Sequence, residues 1–393
     1  MRLLFYGVAL VCLALPSQIT TAEPSGWALT IVWSPDGETI AVGSSDGLWF
    51  FDDAFNVVGF AATPQFEGFP PTTMDWSADG ELIALAINWI PFYHQDGRFY
   101  TGDFPILIVA ANSREVIKAI EFPRPSSGIR WHPQERLILV GTLGGPTHIL
   151  NAATGDSEYV FDKETTGGKR VTAEVVCWVS DSIVALFAAN ATYVVDIAND
   201  ELLRLIDRRG NGYDGQAADC NSNGGAINDI GNHHDLATGQ ISRPYTMDNN
   251  FTMGDYWRHV LAIVGIAYSP DGAKIATNGN SSLCRTAVFD GRNHQLIAEL
   301  QGSYANFGRH YFRDSIAWHP SGEKLAMVGQ FDIRIWDAET YELLQRFDGF
   351  NAGYYNPHPK ARAAGEPETP RQQEMRELRC PDFPASMLFR EQT

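Results

Sequence analysis

With 47 acidic against 29 basic side chains in 393 residues, the chain carries a formal charge of −18, and 44% of its residues are hydrophobic. An acidic surface of this size excludes nucleic acid and anionic membrane as natural partners, since neither is attracted to net negative charge. The apolar fraction is enough to build a buried core. In chain order, Met1-Arg2, the mostly apolar run Leu3 to Leu15 and the small residues ending at Ala22 read as a secretory signal peptide cleaved after Ala22. The run falls short of the roughly 20 residues a bilayer span needs, so the expected product is exported, secreted or periplasmic, monomeric and without a membrane span. Cleavage leaves Cys177, Cys220, Cys284 and Cys380, an even number that permits disulfides in an oxidising compartment. Asn190, Asn250 and Asn280 each fit a glycosylation acceptor of a eukaryotic secretory pathway.

From Ala28 onward a short anchor recurs: Trp33-Ser34-Pro35-Asp36-Gly37, Trp76-Ser77-Ala78-Asp79-Gly80, Trp131-His132-Pro133, Trp178-Val179-Ser180-Asp181, Tyr268-Ser269-Pro270-Asp271-Gly272 and Trp318-His319-Pro320-Ser321-Gly322. Successive aromatics lie 43, 55, 47, 90 and 50 residues apart. Apolar, β-branched segments flank each turn, where Pro presets φ and Gly accepts positive φ, so each anchor reads as a hairpin between two strands. A period in the forties built of such strands predicts an all-β fold, a seven-bladed β-propeller of four-stranded antiparallel blades. The 90-residue interval then holds a degenerate copy over about 208–247, with its anchor expected near Tyr213-Asp214-Gly215. The alternative is six blades with a 208–256 insertion. The propeller is assigned to 23–349 and a Pro-rich tail to 350–393, with one short helix capped by Thr369 and Pro370.

Trp336-Asp337 in the last repeat, and Asp52, Asp196, Asp235, Asp290 and Asp337 at the ends of third strands, resemble the WD40-repeat family over Ala28 to Gly349. His259 and His310 stand near the position of that family's Gly-His pair. Other copies lack this His, so the resemblance is to a degenerate, exported type. It implies a protein- or ligand-binding scaffold without catalysis, the partner being an unknown protein or extracellular ligand.

Three features stand out from the repeat. Long connections carry Trp89, Phe92, Tyr93 and Tyr100, then Tyr256, Trp257 and Arg258, then Tyr304, Tyr311 and Arg313. Aromatic residues with Arg are the composition of interface anchors, and these connections are expected to open on one face, joined there by Phe66 and Phe69. Asp219, Asn221, Asn223 and Asp229 are spaced like oxygen ligands of a Ca²⁺ loop, though Ile227 and Ile230 occupy its closing positions, so a polar turn without a cofactor is the favoured reading. Cys220 and Cys284 are the expected disulfide, with Cys177 read as a small buried hydrophobe. No hydrolase elbow or metalloprotease helix occurs in the sequence. The runner-up function is a metal-dependent, lactonase-like hydrolase with carboxylates gathered in a central channel.

Overall fold

The computed structural model describes residues 23–350 apart from 25, 27, 67, 89–103, 143, 163–170, 189–190, 208–217, 221–225, 230–231, 237, 239, 243–262, 280–284, 294, 302–313 and 330–331. The leader, the tail helix, His259, His310, Cys284 and Cys380 therefore lie outside the described residues.

Among the described residues, twenty-eight strands follow one another in groups of four. The first sheet is β1 (Ala28–Trp33), β2 (Thr39–Ser44), β3 (Gly47–Asp52) and β4 (Val57–Ala61). The second is β5 (Thr73–Trp76), β6 (Leu82–Ala86), β7 (Ile106–Ala110) and β8 (Glu115–Ile120). The third is β9 (Ser126–Trp131), β10 (Leu137–Thr142), β11 (Thr147–Asn151) and β12 (Ser157–Phe161). The fourth is β13 (Val175–Trp178), β14 (Ile183–Ala188), β15 (Ala191–Asp196) and β16 (Glu201–Asp207). The fifth is β17 (Ala218–Cys220), β18 (Ala226–Asp229), β19 (Asn232–Asp235) and β20 (Ile241–Ser242). The sixth is β21 (Ile263–Tyr268), β22 (Lys274–Gly279), β23 (Arg285–Asp290) and β24 (Leu296–Gln301). The last is β25 (Ile316–Trp318), β26 (Lys324–Val328), β27 (Ile333–Asp337) and β28 (Leu343–Phe347).

Every sheet is antiparallel, with its strands in chain order. First strands of successive sheets pack against one another, and β25 returns to β1 and β26 to β1, so the sheets close into a β-propeller. Among the described residues, the strands of the fifth sheet are 3, 4, 4 and 2 residues long. Residues 218–242 thus form a stunted sheet of their own within the stretch that the six-blade alternative assigned to an insertion.

Burial follows from the layering. A middle strand is covered on both faces, so β2 and β3 read as continuous apolar runs and are almost wholly buried. A fourth strand is covered on one face, so β8 alternates exposed and buried along Glu115 to Ile120. Between sheets one and two, Phe50, Phe66, Phe69, Met74 and Leu107 form one apolar cluster. Phe66 and Phe69 are thereby buried in that seam, so they do not join an exposed face: a ring already covered on all sides has no area left for a partner.

The turns explain the repeat. Ser34 Oγ donates to the Asp36 carboxylate, which accepts the Glu38 N–H at 3.0 Å, while Thr39 N–H donates to Ser34 Oγ at 2.9 Å. The same set recurs at Ser77/Asp79 and Ser269/Asp271. Donation from the Ser34 hydroxyl, then from Glu38 N–H, holds the Asp36 carboxyl below its ordinary value. Gly37 is required twice over: its φ is +76°, and a Cβ there would stand 2.2 Å from His319 Nε2. The Asp residues at third-strand ends close Asx turns. Asp52, Asp196, Asp290 and Asp337 each accept backbone N–H groups of the following turn. Asn151 does so in the third sheet, which lacks the Asp.

Candidate functional site

The residue just before each anchor aromatic turns to the axis. Val32, Asp75, Arg130, Ala267 and Ala317 occupy this slot and are partly exposed between buried neighbours, whereas Cys177, which occupies it before Trp178, is buried. In the stunted sheet the slot belongs to Asp219, because Asp219 accepts the N–H of the next anchor, Tyr268, at 2.8 Å, just as Asp75 accepts that of Trp131 at 2.7 Å. Cys220 therefore stands where the other sheets have Trp or Tyr, which splits the 90-residue interval into 42 and 48. The anchor expected near Tyr213 is corrected to Cys220. Tyr213 itself lies outside the described residues. The polar string Cys220-Asn221-Ser222-Asn223-Gly224 is then the counterpart of Trp33-Ser34-Pro35-Asp36-Gly37.

This alignment accounts for the disulfide. Trp131 Nε1 donates to the carbonyl of Asp75 at 3.1 Å, Trp178 Nε1 to that of Arg130 at 3.2 Å, and Trp318 Nε1 to that of Ala267 at 3.0 Å. In each case the anchor indole clasps the axial-slot residue of the preceding sheet. At the junction of the fourth and fifth sheets the axial-slot residue is Cys177 and the anchor is Cys220, and the two are disulfide-bonded with Cα atoms 6.0 Å apart. The expected Cys220–Cys284 pair is thus overturned, and so is the reading of Cys177 as a plain buried hydrophobe. Both pairings join neighbouring sheets, but Cys177 and Cys220 lie on facing first strands, whereas Cys284 belongs to the connection between β22 and β23. A bridge spanning 43 residues contributes about 2 to 4 kcal/mol by restricting the unfolded chain.

At the axis, Arg130 donates to Asp314 at 2.8 Å, and Asp314 accepts from Thr73 Oγ1 at 2.7 Å and Met74 N–H at 3.0 Å. The Asp314 carbonyl accepts Ile31 N–H at 2.7 Å, so this residue ties the last sheet to the first three. Burial opposes the charge on Arg130, but Asp314, then Asp75 and Asp219, outweigh it and hold the guanidinium charged. Burial raises Asp75 and Asp219 to about 6 each, against the pull of Arg130. The arrangement is a positive centre ringed by three carboxylates whose oxygens are engaged by protein N–H and O–H groups. Among the described residues, no three His, Cys, Asp or Glu side chains stand close enough to hold a metal ion.

Sequence reading had not singled out Asp75, Arg130 or Asp314. For Asp75 and Arg130 the available signal was a charged residue directly before an aromatic anchor. Two histidines of the anchors also gain a role. Nε2 of His132 donates to Asp181 O at 2.8 Å and that of His319 to Gly37 O at 3.1 Å, each reaching the turn of the following sheet. Each ring also stacks edge-on against the next anchor, Trp178 or Trp33, at 4.5 and 4.7 Å.

Of the residues read as a Ca²⁺ loop, Asp219 has its oxygens on Tyr268 N–H and Cys220 N–H, and Asp229 pairs with Ala218 across the β17–β18 ladder. Asn221 and Asn223 lie outside the described residues. So do Trp89, Phe92, Tyr93, Tyr100, Tyr256, Trp257, Arg258, Tyr304, Tyr311 and Arg313. Their connections run from β6 to β7, from β20 to β21 and from β24 to β25.

Residues 17–50, which include β1 and β2 with their anchor turn, match the WD40 family model, described as WD domain, G-beta repeat. No curated protein matches the sequence. Among solved structures, the β-propeller domain of Myceliophteria thermophila Cps50 (Swd1) is similar at a TM-score of 0.59 and 13% identity, over 80% of this chain and 96% of that one. Kuenenia stuttgartiensis hydrazine synthase is similar at a TM-score of 0.58 and 14% identity, over 82% and 98%. At such identities the likeness concerns the fold alone. The repeat match covers the first hairpin alone, and the fold it sits in is a β-propeller of four-stranded antiparallel sheets.

Proposed function

We propose that the protein is an exported, non-catalytic, seven-bladed propeller, the stunted sheet counting as a blade, that holds a protein partner on one face. The observation that carries this reading is topological. In an antiparallel four-stranded sheet, second and fourth strands end at the same edge, and the 89–103, 243–262 and 302–313 connections leave from a second or a fourth strand. The sheets they flank include the sixth, seventh and second, which with the first form one contiguous run around the ring. One patch rich in Tyr, Trp and Arg is the composition that anchors protein partners. Export is supported by the leader-like first 22 residues and by the disulfide, which persists in an oxidising compartment. Arg130 in the middle of the axial carboxylates supports a structural hub over a metal-dependent hydrolase. The test is substitution of Tyr93, Trp257 and Tyr311 by Ala in the mature protein. Each change is expected to weaken binding of a partner captured by the wild type by about 1 to 3 kcal/mol, with circular dichroism and thermal midpoint unchanged. Undiminished binding by the triple variant would refute the site. A mature N-terminus other than Glu23 would refute the cleavage.

A further inference from the structure

We propose that the Cys177–Cys220 bridge is a redox-operated clasp that holds the stunted fifth sheet against the fourth and releases that sheet alone when reduced. At three other junctions the same two positions are joined by an indole N–H to a main-chain carbonyl, a link indifferent to reductant. Only here is the aromatic anchor replaced by cysteine, and the link made covalent. The sheet it secures is also poor in apolar residues, its strands reading Ala-Asp-Cys, Ala-Ile-Asn-Asp, Asn-His-His-Asp and Ile-Ser. Its outermost ladder consists of two residue pairs, His233 with Ser242 and His234 with Ile241. Among the described side chains, the apolar cluster at this junction takes Ala218 and Leu236 from the fifth sheet as fully buried members, with Cys220 packed beside them. Losing the bridge therefore removes the covalent tie of β17 to β13, whereas the fourth and sixth sheets keep ladders of four to six residue pairs.

Access is one-sided. Cys177 is buried at 5% exposure, while Cys220 is partly exposed, so a reductant reaches the bridge from the Cys220 side. A dithiol reductant supplies the two electrons. One of its thiolates bonds to Cys220 Sγ as the bond to Cys177 breaks, and Cys177 leaves as a thiolate that takes up a proton. The second thiol of the reductant, as its thiolate, then attacks the first sulfur. That step frees Cys220, which is protonated, and leaves the reductant as its cyclic disulfide. Release of Cys220 also loosens its neighbour Asp219 from Tyr268 N–H and from the field of Arg130, so opening reaches the axial channel wall.

Hydrogen exchange of the intact mature protein with and without dithiothreitol tests this. Reduction is expected to speed exchange at least tenfold in 218–242, and less than threefold in β13 to β15 and β21 to β23. Replacing Cys177 by Ala together with Cys220→Trp restores the indole clasp. That variant should keep slow exchange in 218–242 and show no response to dithiothreitol, while Cys220→Ser should exchange fast without it. A reduced protein whose fifth sheet is as protected as the oxidised one overturns the proposal. So does loss of protection in all sheets together, which would make the bridge a global staple. Should the tryptophan variant fail to fold, the wild-type comparison with and without reductant still decides.

Discussion

Asp75 and Asp219 illustrate how much one slot in a repeat can carry. Each sits directly before an anchor and donates nothing to the hydrophobic core, yet each caps the backbone N–H of the following sheet's anchor and faces Arg130 across the channel. Their carboxyls are raised to about 6, mainly by burial, while the ordinary value is 3.8. A raised value means the folded state binds the proton more tightly than the unfolded chain. The associated stabilisation is full below about pH 3.8 and is lost as pH rises through about 6. Asp36, Asp52, Asp271 and Asp337, held low by their turn hydrogen bonds, act in the opposite sense below the ordinary value. Between pH 5 and 7 the axial pair should dominate. Denaturant unfolding of the wild type is expected to lose stability across that interval relative to Asp75→Asn and Asp219→Asn, by about 1 kcal/mol per site after allowance for solvent in the channel. Parallel pH profiles for wild type and variants would show that these carboxyls are not linked to folding. None of this was legible from composition, because charge in a strand reads as solvated until the ring places it at the axis.

The anchors were legible as punctuation, and their turn chemistry, Pro or His then Asp and Gly, predicted the hairpins that are found. Their function as clasps between sheets was not, since it depends on which carbonyl of a neighbouring sheet lies opposite the indole. The same gap explains the wrong disulfide. Counting from the closing Asp235 placed the missing anchor near Tyr213, whereas aligning Gly224 with Gly37 would have placed Cys220 at the anchor and Cys177 one slot from its own. The clasps differ in strength in a measurable way. Trp178 and Trp318 have carbonyl partners, but Trp33 Nε1 is buried with no hydrogen-bond partner among the described residues. Removing a satisfied buried donor leaves its acceptor unpaired, while removing an unsatisfied one relieves a desolvation cost. Replacement of Trp178 or Trp318 by Phe should therefore cost about 1 kcal/mol more than Trp33→Phe, each measured by urea unfolding. Equal costs would mean that the indoles act through packing volume alone.

On the scale of the whole ring, the first and last sheets share no strand: β1 to β4 and β25 to β28 are each consecutive in the chain. Every other junction is crossed by the main chain, so the seam between the last and first sheets depends on side chains and a few hydrogen bonds. Asp314 O takes Ile31 N–H, and Lys324 pairs with Asp53 at 3.2 Å, an exposed link of little worth. Phe347 packs on Phe51 at 5.0 Å and on Phe350 at 5.7 Å, which draws the chain after β28 over the seam. His319 adds its bond to Gly37 O and its edge contact with Trp33. His132 makes the same two contacts at the junction of the third and fourth sheets, where the main chain is continuous. The pair is thus a matched control for what chain continuity supplies. His319→Ala and His132→Ala should each lower global stability by about 1 to 2 kcal/mol, the sum of a partly buried hydrogen bond and an aromatic edge contact. They should differ in local opening. Without His319 the seam has no covalent crossing to hold it, so hydrogen exchange in β1 and β25 should rise several-fold beyond what global unfolding accounts for. Without His132, exchange in β9 and β13 should follow global unfolding only. If both variants open locally to the same extent, or neither does, ring closure does not rest on this seam.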